Sequence, residues 1–202
     1  MLDVEVIEDP AAAAVALDSV KSLLLAELAT PASAATLATR VGMARQKVNY
    51  HLRSLEAHKL VRLAEERRWG GLTERLLVAT ASTYVVSPGA LGPVAVDPAR
   101  TADRLSASYL IALGARLVRE VGSLWHRARE ANKHLATLAI DTEIRFRSPA
   151  ERAAFTHELT QAITALAARY HDASAPGGRP HRVVLAAHPL PSPTPTKETP
   201  CP

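Results

Sequence analysis

Between residues 45 and 53 the chain reads RQKVNYHLR, which gathers Arg45, Gln46, Asn49, Tyr50 and Arg53 in one short stretch. Arginine can donate two parallel hydrogen bonds to guanine, and asparagine or glutamine can both donate to and accept from adenine. On a 3.6-residue period, Val48, Leu52 and Leu55 form an apolar stripe at i, i+4 and i+7. Arg45, Gln46, Asn49, Tyr50 and Arg53 then fall on the opposite, outward side. A helix turned outward in this way suits the major groove of a duplex, and its N-terminus favours phosphate. The same spacing also describes an ordinary amphipathic helix with a solvated polar face.

The elements that would hold this helix can be read on either side of it. Thr36 to Leu60 reads as two short helices joined by a tight turn at Val41-Gly42-Met43. Leu37 and Val41 form the apolar pair of the first, and Val48, Leu52 and Leu55 the stripe of the second. A β-like run begins at Leu60-Val61-Arg62-Leu63. A charged turn, Glu65 to Gly71, leads to a second β-like run from Thr73. A helix pair followed by a basic β-hairpin is the order of a winged helix. Arg67 and Arg68, just before Gly70-Gly71, are placed to follow the backbone or enter the minor groove. Trp69 either packs at the base of the hairpin or stands exposed. His51 lies beside the apolar stripe and is expected to be a partly buried, hydrogen-bonding residue.

Charge is distributed in the same sense. The net charge of the 202 residues is +4. Residues 1–39 hold one basic and six acidic residues, whereas residues 40–75 hold nine basic and four acidic ones. The positive density peaks over the proposed helix pair and wing, where a DNA backbone would lie. Cys201 is the single cysteine, so neither an intrachain disulfide nor a cysteine metal cluster can form within one chain. The acidic N-terminal residues Asp3, Glu5, Glu8 and Asp9 stand where a signal peptide needs positive charge. With no long apolar run, the expectation is a cytoplasmic protein without a membrane span.

Taken in order, residues 1–9 are a loose or β-like lead. Asp9-Pro10 starts a helix, and Asp18-Ser19 offers a second cap before Ala29. Leu17, Val20, Leu24 and Leu28 share one face and are expected in the core. Ser33 is the cap of the next helix. The stretch TERLLVATASTYVVSP reads as one long strand covered on both sides, whose residues beyond Arg75 leave the DNA and run into a second unit. Pro88, Gly89, Gly92 and Pro93 mark a linker. Asp97-Pro98 is expected to open a helix running to about Lys133, with Leu110, Leu113, Leu117, Val121 and Leu124 on one broad apolar face. Such a face needs a partner, either in its own chain or in a two-fold mate, and the mate is the expectation. A strand over Leu135 to Arg147 follows, with Asp141, Glu143 and Arg145 on its polar face. A helix then runs from Ser148-Pro149 to about Tyr170, with Phe155, Leu159, Ala162, Leu166 and Tyr170 inward. A last strand covers His181 to Ala187, and Pro189 to Pro202 is a disordered Pro-rich tail.

The segments ALDSVKSLLLAELA and ATLATRVGMARQKVNYHLRSLEAHKLV resemble the winged helix-turn-helix of the ArsR-like bacterial transcriptional regulators. Leu37, Ala38, Val41, Gly42, Val48, His51, Leu52, Leu55 and Leu60-Val61 carry the resemblance, which covers roughly residues 15–85. It implies Arg45, Gln46, Asn49 and Tyr50 as base readers, with Lys47 and Arg53 on phosphate. Metal-sensing members carry Cys-x-Cys ahead of the motif, and here those positions are Ser33 and Ala35. Soft-metal capture needs thiolates, so that mode of sensing is not expected, and no His-x-x-x-His pair replaces it.

These readings give an α+β, mainly helical chain. Residues 10–87 form a winged helix-turn-helix domain, 97–188 a dimerisation and effector unit of long helix plus strand-helix-strand, and 189–202 the tail. The expected function is a homodimeric, sequence-specific transcriptional regulator on a pseudo-palindromic site, with double-stranded DNA and a second copy as partners. An effector, if there is one, is unnamed by the sequence, and no cofactor or metal is expected. Two other readings stay open. One is a winged helix used for protein contacts. The other, weaker than a solvated strand face, is an enzyme in the C-terminal half using Asp141, Glu143, His157 or His171, which no Gly-rich phosphate loop, nucleophile elbow or metal motif supports.

Overall fold

The computed structural model describes residues 1–69 and 72–191, with the backbone alone at Trp69 and Leu72. The chain divides into two compact units, Met1–Leu135 and Ala136–Pro202. In the first, strand β1 (Leu2–Ile7) precedes helices α1 (Pro10–Leu17) and α2 (Ser19–Glu27). The short strand β2 (Ala32–Ser33) leads into α3 (Ala34–Val41) and α4 (Arg45–Ala57). Strands β3 (Val61–Trp69), β4 (Leu72–Ala79) and β5 (Ala81–Val86) follow, and then the long helix α5 (Ala107–Glu130). Among its described residues the second unit contains one helix, α6 (Pro149–Tyr170).

Side-chain caps set most of these boundaries. Asp9 accepts from the Ala12 backbone N–H at 3.0 Å, and Asp18 accepts from Val20 and Lys21 at 3.1 and 3.0 Å. Asp18 therefore ends α1 and starts α2 in extended backbone. Its carboxyl is held below its ordinary value by the Lys21 backbone N–H, with the Lys21 ammonium 3.4 Å away adding to the effect. The break resets the helical phase. Leu24 and Leu28 become fully buried, whereas Leu17, expected in the core, is 71% exposed.

The core lies between the helices and a three-stranded sheet of order β2-β4-β3, both pairings antiparallel. Leu24, Leu28, Leu37, Val48 and Leu55 are its fully sequestered side chains. Leu76, Leu77, Val78 and Ala79 are all buried, so β4 is covered on both faces as its apolar alternation requires.

The strand expected to run on to Val86 instead divides at Thr80. There the Thr80 N–H and hydroxyl both donate to the Leu60 carbonyl at 3.0 Å, and the Tyr84 hydroxyl donates to the same oxygen at 2.8 Å. Three donors on one carbonyl hold a corner. β5 turns away to pair in parallel with β1, from Leu2 opposite Ala81 to Ile7 opposite Val86. The N-terminal lead is thus part of the first unit, and β5 stays in it.

The linker region folds as two short 3-10 turns within Pro88–Val94, joined at a kink at Gly92 (φ 60°), with the buried Ser87 hydroxyl accepting from Gly89 N–H at 3.3 Å. Asp97-Pro98 opens only a single 3-10 turn, Pro98–Arg100, and not the long helix. A second capping residue, Ser106, restarts the chain by accepting from Tyr109 N–H at 3.2 Å. Two start signals nine residues apart divide what periodicity alone reads as one element. α5 belongs to the first unit, where it packs on β1 through its small residues. A Cβ at Gly122 would stand 2.8 Å from Val6. The His126 ring donates to the Val6 carbonyl at 2.9 Å, and Arg129 pairs with Glu5 at 2.9 Å.

In the second unit, Ser148 caps α6 by accepting from Glu151 N–H at 3.1 Å. Arg147 holds the Glu151 carboxyl below its ordinary value. The strands expected over Leu135 to Arg147 and His181 to Ala187 do not form. A strand is completed by a neighbour's backbone, and among the described residues neither segment takes part in a ladder. Of the inward face expected for α6, Phe155 and Leu159 are half-buried, but Ala162, Leu166 and Tyr170 are exposed. Residues 192–202, which hold most of the expected tail, lie outside the described residues.

Candidate nucleic-acid interface

The site is built on α4. Gly42 ends α3 in the left-handed conformation, φ 66°, and Met43 N–H closes the turn onto the Ala38 carbonyl at 3.0 Å. A side chain at Gly42 would meet no atom within 4 Å, so its conformation, not crowding, calls for glycine there. The turn lets α4 cross α3 and bury Val48, Leu52 and Leu55. Burying one side of a helix this completely fixes the rotation of the other.

Arg45, Gln46, Asn49, Tyr50 and Arg53 are all exposed and together line a shallow concavity of about 480 Å³. The structure thus brings together the five residues that spacing assigned to one face. Lys47 is exposed too but is not among the lining residues. Tyr50 is 72% exposed, with its ring edge-on to His51. The N-terminus of α4 carries no side-chain cap and no acidic residue in its first turn. Its first N–H groups are therefore open to an anion, whereas Asp9, Asp18, Ser33, Ser106 and Ser148 occupy that role on the other helices.

His51 differs from expectation. It is half-buried, but both ring nitrogens are shielded and neither has a hydrogen-bond partner among the described residues.

Two ion pairs steady the platform. Arg75 of β4 reaches Glu56 of α4 with contacts of 2.6 and 3.3 Å, and this pairing raises the Arg75 pKa. Arg40 of α3 pairs with Glu27 of α2 at 3.5 Å. Sequence reading missed Glu56–Arg75, because nothing local joins residues so far apart.

The β3–β4 hairpin carries Arg67 and Arg68, and a bulge at Ala64 shifts its register. Arg67 is held at 3.0 Å by Glu65 and faces Glu74 across the ladder. These carboxylates raise its pKa and offset its charge. Arg68 faces the neutral Thr73. Of the two hairpin arginines, Arg68 has the less neutralised setting for a phosphate. Gly70-Gly71 and the side chain of Trp69 lie outside the described residues, and with them the choice between a packed and an exposed indole.

The candidate dimer residues are all on α5. Leu110 and Leu113 are half-buried, whereas Leu117, Val121 and Leu124 are 46%, 39% and 43% exposed. The helix turns Ala112 and Gly122 to its own chain and leaves these larger side chains outward. Ser33, at one of the positions where metal sensors carry thiolates, is buried and caps α3. Among the described residues no helix is long and apolar enough to cross a membrane.

No curated protein matches the chain. A family profile described as a helix-turn-helix domain matches residues 24–64. The match runs from α2 through β2, α3 and α4 to the start of β3, and contains the five lining residues but not Arg67 and Arg68. The segment that carries the polar face is a helix-turn-helix domain, the kind of unit through which regulators bind DNA.

Proposed function

We propose that the chain is a sequence-specific transcriptional regulator that binds DNA as a homodimer through a winged helix-turn-helix of the ArsR type. α4 lies in the major groove, with Arg45, Gln46, Asn49 and Tyr50 toward base edges. Lys47, Arg53 and the open N-terminus of α4 take phosphates. Arg68, with Arg67 behind it, follows the adjacent backbone. The outward face of α5 joins two copies, so that two recognition helices meet two half-sites of an inverted repeat. The protein works in the cytoplasm by binding and not by catalysis, and it does not sense metals through thiolates.

The observation that carries this reading is the division of α4: three apolar side chains are buried and five polar side chains are outward around one concavity. The test is a binding selection on random duplex DNA, followed by affinity at several salt concentrations. An enriched inverted repeat is the expected result. A steep salt slope without an enriched motif would reduce the site to non-specific binding. No binding at any salt would turn the outward face toward a protein partner.

A further inference from the structure

Residues 138–147, LAIDTEIRFR, place Leu138, Ile140, Thr142, Ile144 and Phe146 on one side of a period-2 pattern, and Ala139 with a charged set on the other. The charged set runs Asp141, Glu143, Arg145, Arg147, two negatives followed by two positives at every second position. The segment has the composition of a strand but no ladder among the described residues. Leu138, Ile140 and Ile144 are 87%, 78% and 50% exposed.

We infer that this segment pairs antiparallel with the same segment of a second copy, about a two-fold axis through Ile144. In that register Glu143 stands opposite Arg145 of the second copy, and Asp141 stands opposite its Arg147, whose charge is shared with its own Glu151 at 2.8 Å, so that each acidic position faces a basic one and Glu143–Arg145 is the stronger pair. A sequence of two negatives then two positives is complementary to its own reverse, and a two-fold axis supplies that reverse. Directly opposed unlike charges stabilise an antiparallel pair, and like charges oppose it. The period-2 alternation keeps the apolar residues together on the other face of the ribbon. α6 can cover part of that face, because Phe146 already meets Phe155 with ring centroids 5.3 Å apart. Self-pairing also supplies the backbone partners that strand formation requires. The inference deepens the homodimer reading and rests on it, but it concerns a contact separate from α5.

Cross-linking tests the register in the 202-residue chain carrying Cys201→Ser. Ile144→Cys should form a disulfide-linked dimer under mild oxidation, because the two copies of this position face each other. Ile140→Cys should not, because its two copies would lie roughly 25 Å apart along the ribbon, far beyond disulfide reach. Charge reversal supplies a second measurement. Glu143→Arg alone and Arg145→Glu alone should each weaken the dimer about tenfold, and mixing the two variants should restore it, since each then meets its complement. If wild type sediments as a dimer but Ile144→Cys does not cross-link, the strand pairing fails while the homodimer stands. Linkage of Ile144→Cys to Val183→Cys in mixed chains would overturn it in favour of a different strand partner. A monomeric wild type would overturn both.

Discussion

Helices α4 and α6 are both amphipathic by sequence, yet their surroundings are opposite. α4 has 13 residues and buries three of them, whereas α6 has 22 and buries none. α4 is gripped by α3 below and by the Glu56–Arg75 pair at its end, so its polar face points in one fixed direction. α6 keeps Phe155, Leu159 and Ile163 half-covered and leaves Leu166 and Tyr170 open. Periodicity establishes which side chains share a face. Whether anything covers that face depends on elements distant in the chain, or on another chain.

The sharpest way to break this contrast is truncation. Leu55→Ala should cost about 2–5 kcal/mol, the range for a fully buried leucine in a rigid core. Leu166→Ala should cost under about 0.5 kcal/mol in dilute protein, as exposed substitutions do. Urea unfolding measures both, and equal losses would mean that α6 is covered in solution. Next in size is the double change Leu117→Glu with Val121→Glu, which should split the dimer without loss of helical circular dichroism. Unchanged mass by sedimentation would leave the outward face of α5 with no role in assembly.

Arg45→Ala should weaken specific binding by about 1–3 kcal/mol if Arg45 reads a base. An equal loss on every sequence would make it a phosphate contact. Arg68→Ala should weaken all sequences alike and lower the salt slope by about one, with a smaller effect from Arg67→Ala because Glu65 and Glu74 already offset that charge.

The smallest expected effect concerns acid. Asp18 has a depressed pKa in the folded state, so its contribution is present above its ordinary value of 3.8 and is lost as pH falls through the lower folded value. Asp18→Asn, which keeps a capping oxygen, should flatten the acid limb of a melting-temperature profile. An unaltered limb would assign acid sensitivity to the other depressed carboxyls, Glu65, Glu151 and Asp172.

The parts legible in the sequence were those decided within a turn or two of chain. Asp9, Asp18, Ser33 and Ser148 announce helix starts because a cap is a bond to a residue two or three positions on. The outward side of α4 followed from the spacing of Val48, Leu52 and Leu55. What escaped was decided at long range. The corner at Thr80 depends on the Leu60 carbonyl, and β5 pairs with β1 from the far end of the unit. The segment over 135–147 has the pattern of a strand without a neighbour to make it one. The unpartnered His51 ring had no local signal at all.

The charge order from Asp141 to Arg147 has one more consequence, for the fate of the chain when it is crowded. Exposed apolar alternation of this kind is a template for fibrils, in which identical strands stack parallel and in register. Such a stack would place Asp141 on Asp141, Glu143 on Glu143, Arg145 on Arg145 and Arg147 on Arg147 at every layer, in close like-charge contact. An antiparallel pair relieves all four repulsions at once and stops at two strands if its outer edges are shielded. The same residues that make the segment adhesive to one copy in one direction therefore guard it against open-ended growth in the other.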